Sequence, residues 1–279
     1  MADKHVGFIT HPIYEIEDGE AVVYLYGRLQ SGESFRVRQP YRPYFFVRSD
    51  TTDTVPALSD VDIEATELTD FDDTPVSKVI LDIPKTVPTL RDSLLESNIS
   101  VFEADVPFTS RFLIDHDVRG AVTIEGDKVE VPNERFDVSF NEPSLAPAEW
   151  RPRMDDLVVL SVDIETSPDH DALYSIAYTT NTEEQDVFLV RDESVPGVQT
   201  YSSPRGVLKA FRDALLAIDP DVITGWNVID FDFDCLQTYH EQYDVPFDFG
   251  RVSKESDLSI RSAYMRDSTM KAEGRMVLD

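Results

Sequence analysis

Asp163 and Glu165 stand two residues apart at the end of an aliphatic run, VVLSVDIETSP over 158–168. Side chains alternate on a pleated strand, so both carboxylates project to the same side. Val158, Val159, Leu160 and Val162 suit a strand covered on both faces. Two like charges held together there repel, and burial would raise their pKa unless a cation neutralised them. Hard divalent ions such as Mg²⁺ or Mn²⁺ take oxygen ligands, so a third carboxylate is expected from elsewhere in the chain. Asp232, 69 residues on in ITGWNVIDFD, is the candidate, opening a predicted helix just beyond a strand that ends at Gly225. Two strand ends meeting at one site is a common α/β arrangement. A two-metal site of this kind would polarise a phosphate and activate water for in-line attack, which is nuclease chemistry.

The acid-x-acid string means little by itself. With 54 acidic residues in 279, about ten such pairs arise by chance, so context has to carry the reading. Asp230 and Asp234 flank Asp232 and read as helix-end surface charges. His170 reads as an exposed loop residue rather than a base, and His5, His11, His116 and His240 have no ligand spacing. Trp226 reads as core packing beside Asn227, and Tyr41, Tyr44, Phe45 and Phe46 as sheet packing rather than base stacking.

The elements that must position these groups alternate in type. Strands are expected at 157–164, 173–179 and 185–190, then a helix in SPRGVLKAFRDALLAID. Ser203 is its candidate cap and Pro204 its first residue, with Val207, Leu208, Phe211, Leu215 and Ile218 facing inward. DVITGWN adds a short strand and DFDFDCLQTYHEQY a second amphipathic helix, which together make an α/β layer on a mixed sheet. The first half is different. Residues 6–48 read as antiparallel strands turned at Asp18-Gly19 and Ser31-Gly32. SKVILDI is a further strand, and TVPTLRDSLLES a helix burying Leu90, Leu94 and Leu95. The second half of the proline-punctuated stretch 127–154 is the expected boundary.

These segments resemble the family B DNA polymerases. VDIET is similar to that family's first exonuclease motif, and GWNVIDFD to its second, an Asn-x3-Phe-Asp pattern. RPYFFV, KTVPTLRDSL and FEADVPFTSRFLID resemble its N-terminal domain, while FGRVSKES and EGRMVLD resemble the stretch before its third motif. Archaeal members are the most similar. The resemblance implies a small mixed, β-rich N-terminal domain at 1–148 and a ribonuclease H-like 3′–5′ exonuclease domain at 149–279, α/β in class and α+β overall. It further implies that Asp163, Glu165 and Asp232 bind Mg²⁺ or Mn²⁺, and that Asn227, Phe231 and Thr166 hold the 3′ end. A uracil-recognising pocket would map to Phe8, Pro43, Val87, Pro88, Arg91 and Phe108. The third motif, Tyr-x3-Asp, and the polymerase palm are not among these residues, so the sequence reads as the C-terminally truncated front of a polymerase. The implied partners are single-stranded template DNA, a primer 3′ end and the remaining polymerase segment. The alternative is an inactive fragment that binds single-stranded DNA or a partner subunit.

Composition frames this reading. At 41% hydrophobic the chain can build a sizeable core, and no apolar run approaches the roughly 18 residues of a membrane span. The start, MADKHVGFIT, has no signal-peptide pattern, and Cys235 is the lone cysteine, so a cytoplasmic protein without a disulfide is expected. The net charge of −29, with 18 arginines but 7 lysines, argues against nucleic acid on its face. Spread along the whole chain, it instead suggests a haloarchaeal surface, because molar salt shortens the Debye length to about 3 Å.

Overall fold

Asp18 and Gly19 both take positive φ, 50° and 91°, and so turn the strand Lys4–Glu17 directly back into Glu20–Leu29. This hairpin is the centre of a seven-stranded sheet in the computed structural model, which describes residues 3–55, 61–132, 134–261 and 268–279. Across that sheet the strands run 144–147, 121–125, 4–17, 20–29, 34–40, 138–141 and 129–130. The proline-punctuated stretch 127–154 thus contributes Val138–Asn141, parallel to Ser34–Pro40, and, within the half expected as a boundary, Ser144–Pro147, antiparallel to Ala121–Glu125. Prolines are tolerated there because Ser144–Pro147 lies at the sheet edge, where an N–H is not needed.

A second, four-stranded sheet orders 62–69, 75–80, 44–48 and 101–102. Phe45, Val47 and Val79 of this sheet pack on Leu90 and Leu94 of the helix Val87–Glu96. Leu95, expected on the same face, is 52% exposed, since 100° per residue carries it off the stripe that Leu90 and Leu94 define. Phe45 and Phe46 are buried, whereas Tyr41 and Tyr44 are half-buried and donate to Asp115. The helix Phe108–Asp115 had no clear sequence signal. It is short, and its apolar contacts come from Phe112 and the partly buried Phe108 and Leu113.

The third sheet carries the carboxylates. Its order is 199–201, 185–190, 173–180, 159–166, 222–224 and 276–278. Pairing is antiparallel among Val159–Thr166, Leu173–Thr180 and Gln185–Val190, and parallel between Gln185–Val190 and Gln199–Tyr201 and between Val159–Thr166, Val222–Thr224 and Met276–Leu278, so the sheet is mixed as expected. Helix Pro204–Ile218 begins on Ser203, whose Oγ accepts from the Gly206 N–H at 3.4 Å, and ends at Asp219 in the left-handed conformation. It buries Val207, Leu208, Phe211 and Leu215. The expectation of a strand covered on both faces fails at 159–166. Leu160, Val162 and Ile164 are buried, but Asp163 and Glu165 on the opposite face are exposed.

Five charged side chains join the first sheet to the third. Arg28 donates through Nε to Asp221 Oδ2 at 2.6 Å and through Nη2 to Asp219 Oδ2 at 3.2 Å. Arg251 reaches Asp221 Oδ1 at 2.7 Å and Asp219 Oδ1 at 2.8 Å, and Arg275 reaches Asp219 Oδ1 at 2.7 Å. Asp221, Arg251 and Arg275 are at most 1% exposed. Asp221 also accepts the Val158 N–H and so fixes the entry to the strand bearing Asp163.

Candidate exonuclease site

The groove is built where two parallel strands end. Val222–Thr224 runs beside Val159–Thr166, then leaves the sheet at Gly225. A Cβ at Gly225 would lie 2.6 Å from the Val162 carbonyl and 2.9 Å from the Val228 side chain, so only glycine lets the chain pass this close. Asn227 follows with φ of 54°, a left-handed conformation that asparagine tolerates better than most residues. The chain then enters one π-helical turn, Val228–Phe233, and continues as the α-helix Asp234–Gln242. Asp232 therefore lies inside a π turn, where a helix start was expected. Such turns widen the helix by one residue per turn and recur at functional sites.

That turn aims Asp232 back at the strand. Its Oδ1 accepts the Ile164 N–H at 3.0 Å, one residue from Asp163, and its side chain is buried with the residue 3% exposed. Burial pushes the Asp232 pKa up to about 6, and the neighbouring charges of Asp163 and Asp279 push the same way. Asp163, Thr224, Gly225, Trp226, Asn227, Phe231, Asp232 and Asp279 line one open groove. No lysine or arginine is among these lining residues.

The structure thus brings Asp163, Asp232, Asn227 and Phe231 together. Glu165 shares the strand face of Asp163 but does not line the groove. Thr166 stands one residue beyond it, with Oγ1 3.0 Å from His170 Nδ1, and the His170 ring meets Phe231 edge-on at 5.1 Å. Sequence reasoning missed Asp279. It follows the strand Met276–Leu278, which pairs with Val222–Thr224, and its Oδ1 accepts the Val228 N–H at 2.7 Å. The parallel pairing that puts it there has no local signature. Trp226 is the other correction: it is 93% exposed at the groove, not core.

A divalent cation fits this donor set chemically. Carboxylates from three chain segments face one groove, and Asp232 carries a raised pKa that a nearby cation would reverse. Among the described residues no three acidic, histidine or cysteine side chains are already gathered around one point.

The pocket expected in the first half is also recognisable as a cavity. Pro43, Val87, Pro88, Arg91 and Phe108 line one space of about 340 Å³, together with Tyr14, Tyr44 and Arg111. Phe8 is not among them. Its ring lies where a Cβ on Gly120 would fall, at 2.9 Å, and Tyr14 of the same strand reaches the cavity instead.

The family model described as DNA polymerase family B, exonuclease domain, matches residues 99–279. The chain belongs to that family. It is 27% identical to a DNA polymerase of Archaeoglobus fulgidus across 98% of this chain and 34% of that protein. It is 29% identical to DNA polymerase II of Escherichia coli across 76% of this chain and 26% of that protein. The solved family B DNA polymerase from Pyrobaculum calidifontis superposes with a TM-score of 0.77 at 23% identity, over 98% of this chain and 36% of that one. The chain thus spans about a third of the length of the archaeal relative. Its second half is the ribonuclease H-like exonuclease fold of family B polymerases, a family whose exonuclease domain generally depends on divalent metal. Among the described residues no helix is long and apolar enough to cross a membrane.

Proposed function

We propose that this chain provides the 3′–5′ proofreading exonuclease site of a family B DNA polymerase, preceded by a template-contacting unit over about residues 1–148. The observation that carries the reading is the π turn, which brings Asp232 to within a hydrogen bond of the strand bearing Asp163 and sets both on one groove with Asn227 and Phe231. In this reading Asp163, Glu165 and Asp232 hold Mg²⁺ or Mn²⁺, which supplies charge stabilisation and activates water for phosphodiester hydrolysis. The chain's own residues do the positioning. The Ile164 N–H fixes Asp232 Oδ1, so that carboxylate meets an ion in one orientation. Asn227, at the mouth, offers an amide to a sugar or phosphate oxygen of a frayed 3′ end, and Phe231 an apolar wall. Thr166 orders the edge of the groove through His170.

The test is Mn²⁺- or Mg²⁺-dependent release of 3′-terminal nucleotides from single-stranded DNA in molar KCl. Asp163→Ala and Asp232→Ala should each lower release by at least about 10²-fold, as expected when a positioned group is lost. Robust degradation that survives both substitutions would place the chemistry elsewhere. Binding without release would favour a partner-binding or strand-binding fragment.

A second site is favoured by the cavity that five of the six expected residues share. We propose that it takes uracil of a template strand, with Pro43, Val87 and Phe108 leaving no room for the thymine methyl. Tighter binding of uracil-containing than thymine-containing single strands, lost in Val87→Gln, is the expected result; equal affinities would return these residues to packing.

A further inference from the structure

Trp226 is a tryptophan in an unusual place. A ring of that size is normally buried over most of its area, yet this one is 93% exposed at the mouth of the carboxylate groove. Nor is its exposure that of a slack loop. Gly225 before it is pressed against the Val162 carbonyl, Asn227 after it is fixed in the left-handed region, and the Val228 N–H is held by Asp279 at 2.7 Å. The backbone is constrained on both sides of a residue whose side chain is almost wholly exposed.

The charge around it narrows what the ring can bind. The lining residues include three carboxylates and no cation, so the groove offers no charged side chain to a phosphate backbone. A nucleic-acid strand approaching a chain of net charge −29 needs attraction that does not depend on lysine or arginine. Base–aromatic stacking is such a term, since every base has a π-face and stacking is neutral.

We propose that Trp226 is the stacking platform for the 3′-terminal nucleobase of the strand entering the groove. This deepens the exonuclease reading and rests on it for the identity of the strand end. Phe231, half-buried, and Trp226, 93% exposed, line the same groove, so the indole is the more accessible aromatic face for a base that enters it. Trp226 is a binding residue and takes no part in bond breaking.

The probe is a twelve-nucleotide oligodeoxythymidylate, titrated into the intact chain in 2 M KCl with EDTA so that no hydrolysis occurs. The chain has two tryptophans, Trp150 and Trp226, so intrinsic fluorescence reports the contact directly. Quenching is expected in the wild type and in Trp150→Phe, and its loss in Trp226→Ala. Affinity, read by anisotropy of a 5′-labelled oligonucleotide, should fall roughly 5- to 150-fold in Trp226→Ala, the range of one base–aromatic stack. Trp226→Phe should restore most of it. Between about 1 and 3 M KCl the wild-type affinity should vary far less than the slope of about −0.7 per contacted phosphate expected of cation-driven single-strand binding. A closed circular single strand should not compete.

With Mn²⁺ present, Trp226→Ala should raise KM for 3′ nucleotide release and leave kcat near the wild-type value. Unchanged affinity and KM in Trp226→Ala, with the protein still folded by circular dichroism, would overturn the proposal while leaving the exonuclease reading intact. Conversely, quenching that depends on Trp226 in a chain that releases no nucleotides would uphold the stacking platform and refute the hydrolytic reading. Asp163→Ala should abolish release without altering quenching, which separates the two.

Discussion

Asp219 and Asp232 lie thirteen residues apart, and burial acts on both in the same direction, yet they end with opposite proton affinities. The three guanidinium groups of Arg251, Arg275 and Arg28 around Asp219 overcome its burial and hold its carboxyl below the usual range. At Asp232 the neighbours are Asp163 and Asp279, which add to burial and raise it to about 6. The junction between the sheets is therefore an ionic cluster in which every carboxylate oxygen accepts from an arginine, while Nη2 of the buried Arg275 is left without a partner. The groove is built of the same residue type with its cations left out. A buried ion pair seldom raises stability much over apolar residues of similar size, but removing one partner is costly because the other charge is stranded. The two regions show acid used in two ways: the junction fixes geometry, and the groove, in the function proposed above, holds charge for a cation from solution.

The largest effect should fall on the junction. Asp221→Ala leaves three guanidinium groups on Asp219 alone, in a site where the lost aspartate has 0% exposure, and should cost about 3–5 kcal/mol in denaturant unfolding at pH 7 in molar KCl. Asp163→Ala, at an exposed position, should stay within about 0.5 kcal/mol. Comparable costs for the two would erase the distinction between the regions.

A smaller effect of opposite sign is expected at Asp232. Its folded pKa lies above its unfolded one, so its contribution is favourable below about pH 4 and is lost as pH rises through about 6. Asp232→Asn keeps an acceptor for the Ile164 N–H but cannot ionise. The variant should match the wild type near pH 4 and be more stable by on the order of 1–3 kcal/mol above pH 6. His240 pulls the other way in both proteins: burial holds it down to about 4, so the stability it supplies is lost as pH falls from about 6.5 toward 4. Taking the difference between variant and wild type removes it. A difference that does not grow between pH 4 and 6 would mean that Asp232 is not carrying buried charge.

The smallest effect concerns the ion itself. Mn²⁺ at ten times its Kd should stabilise the wild type by about 1.4 kcal/mol, reversibly on adding EDTA. Asp163→Ala and Asp232→Asn should show none of this, while a junction-neutral change such as Arg153→Ala should keep it. Stabilisation that persists in both carboxylate variants would put the cation outside the groove.

How far the sequence revealed this arrangement depended on the range of the interaction. The strand Val159–Thr166 and helix Pro204–Ile218 were legible because alternation, the Ser203 cap and the 207/208/211/215 stripe are local signals. Asp163, Asp232, Asn227 and Phe231 were legible as a group from motif resemblance, and the fold brings them together. Asp279 was not, because its place depends on a strand more than fifty residues from its partner in sequence pairing parallel to Val222–Thr224. Trp226 was misread for a related reason. Hydrophobicity places a tryptophan in the core by default, and what overrides it here is a backbone turn set by Gly225 and Asn227. The junction escaped notice entirely: in a chain with 54 acidic residues, nothing local marks Asp219 and Asp221 as the ones that are buried.

The guanidinium of Arg28 spans from the first sheet to the third, and this bears on how such a molecule can change over generations. Arg28, Asp219, Asp221, Arg251 and Arg275 hold one another across nearly 250 residues of sequence, so none can drift alone without weakening the pairing of a buried charge. A recombinant that takes its first hundred and forty residues from one lineage and the remainder from another stays folded only if both parents carry this cluster. The two halves, distinct in architecture, are heritable as a single unit.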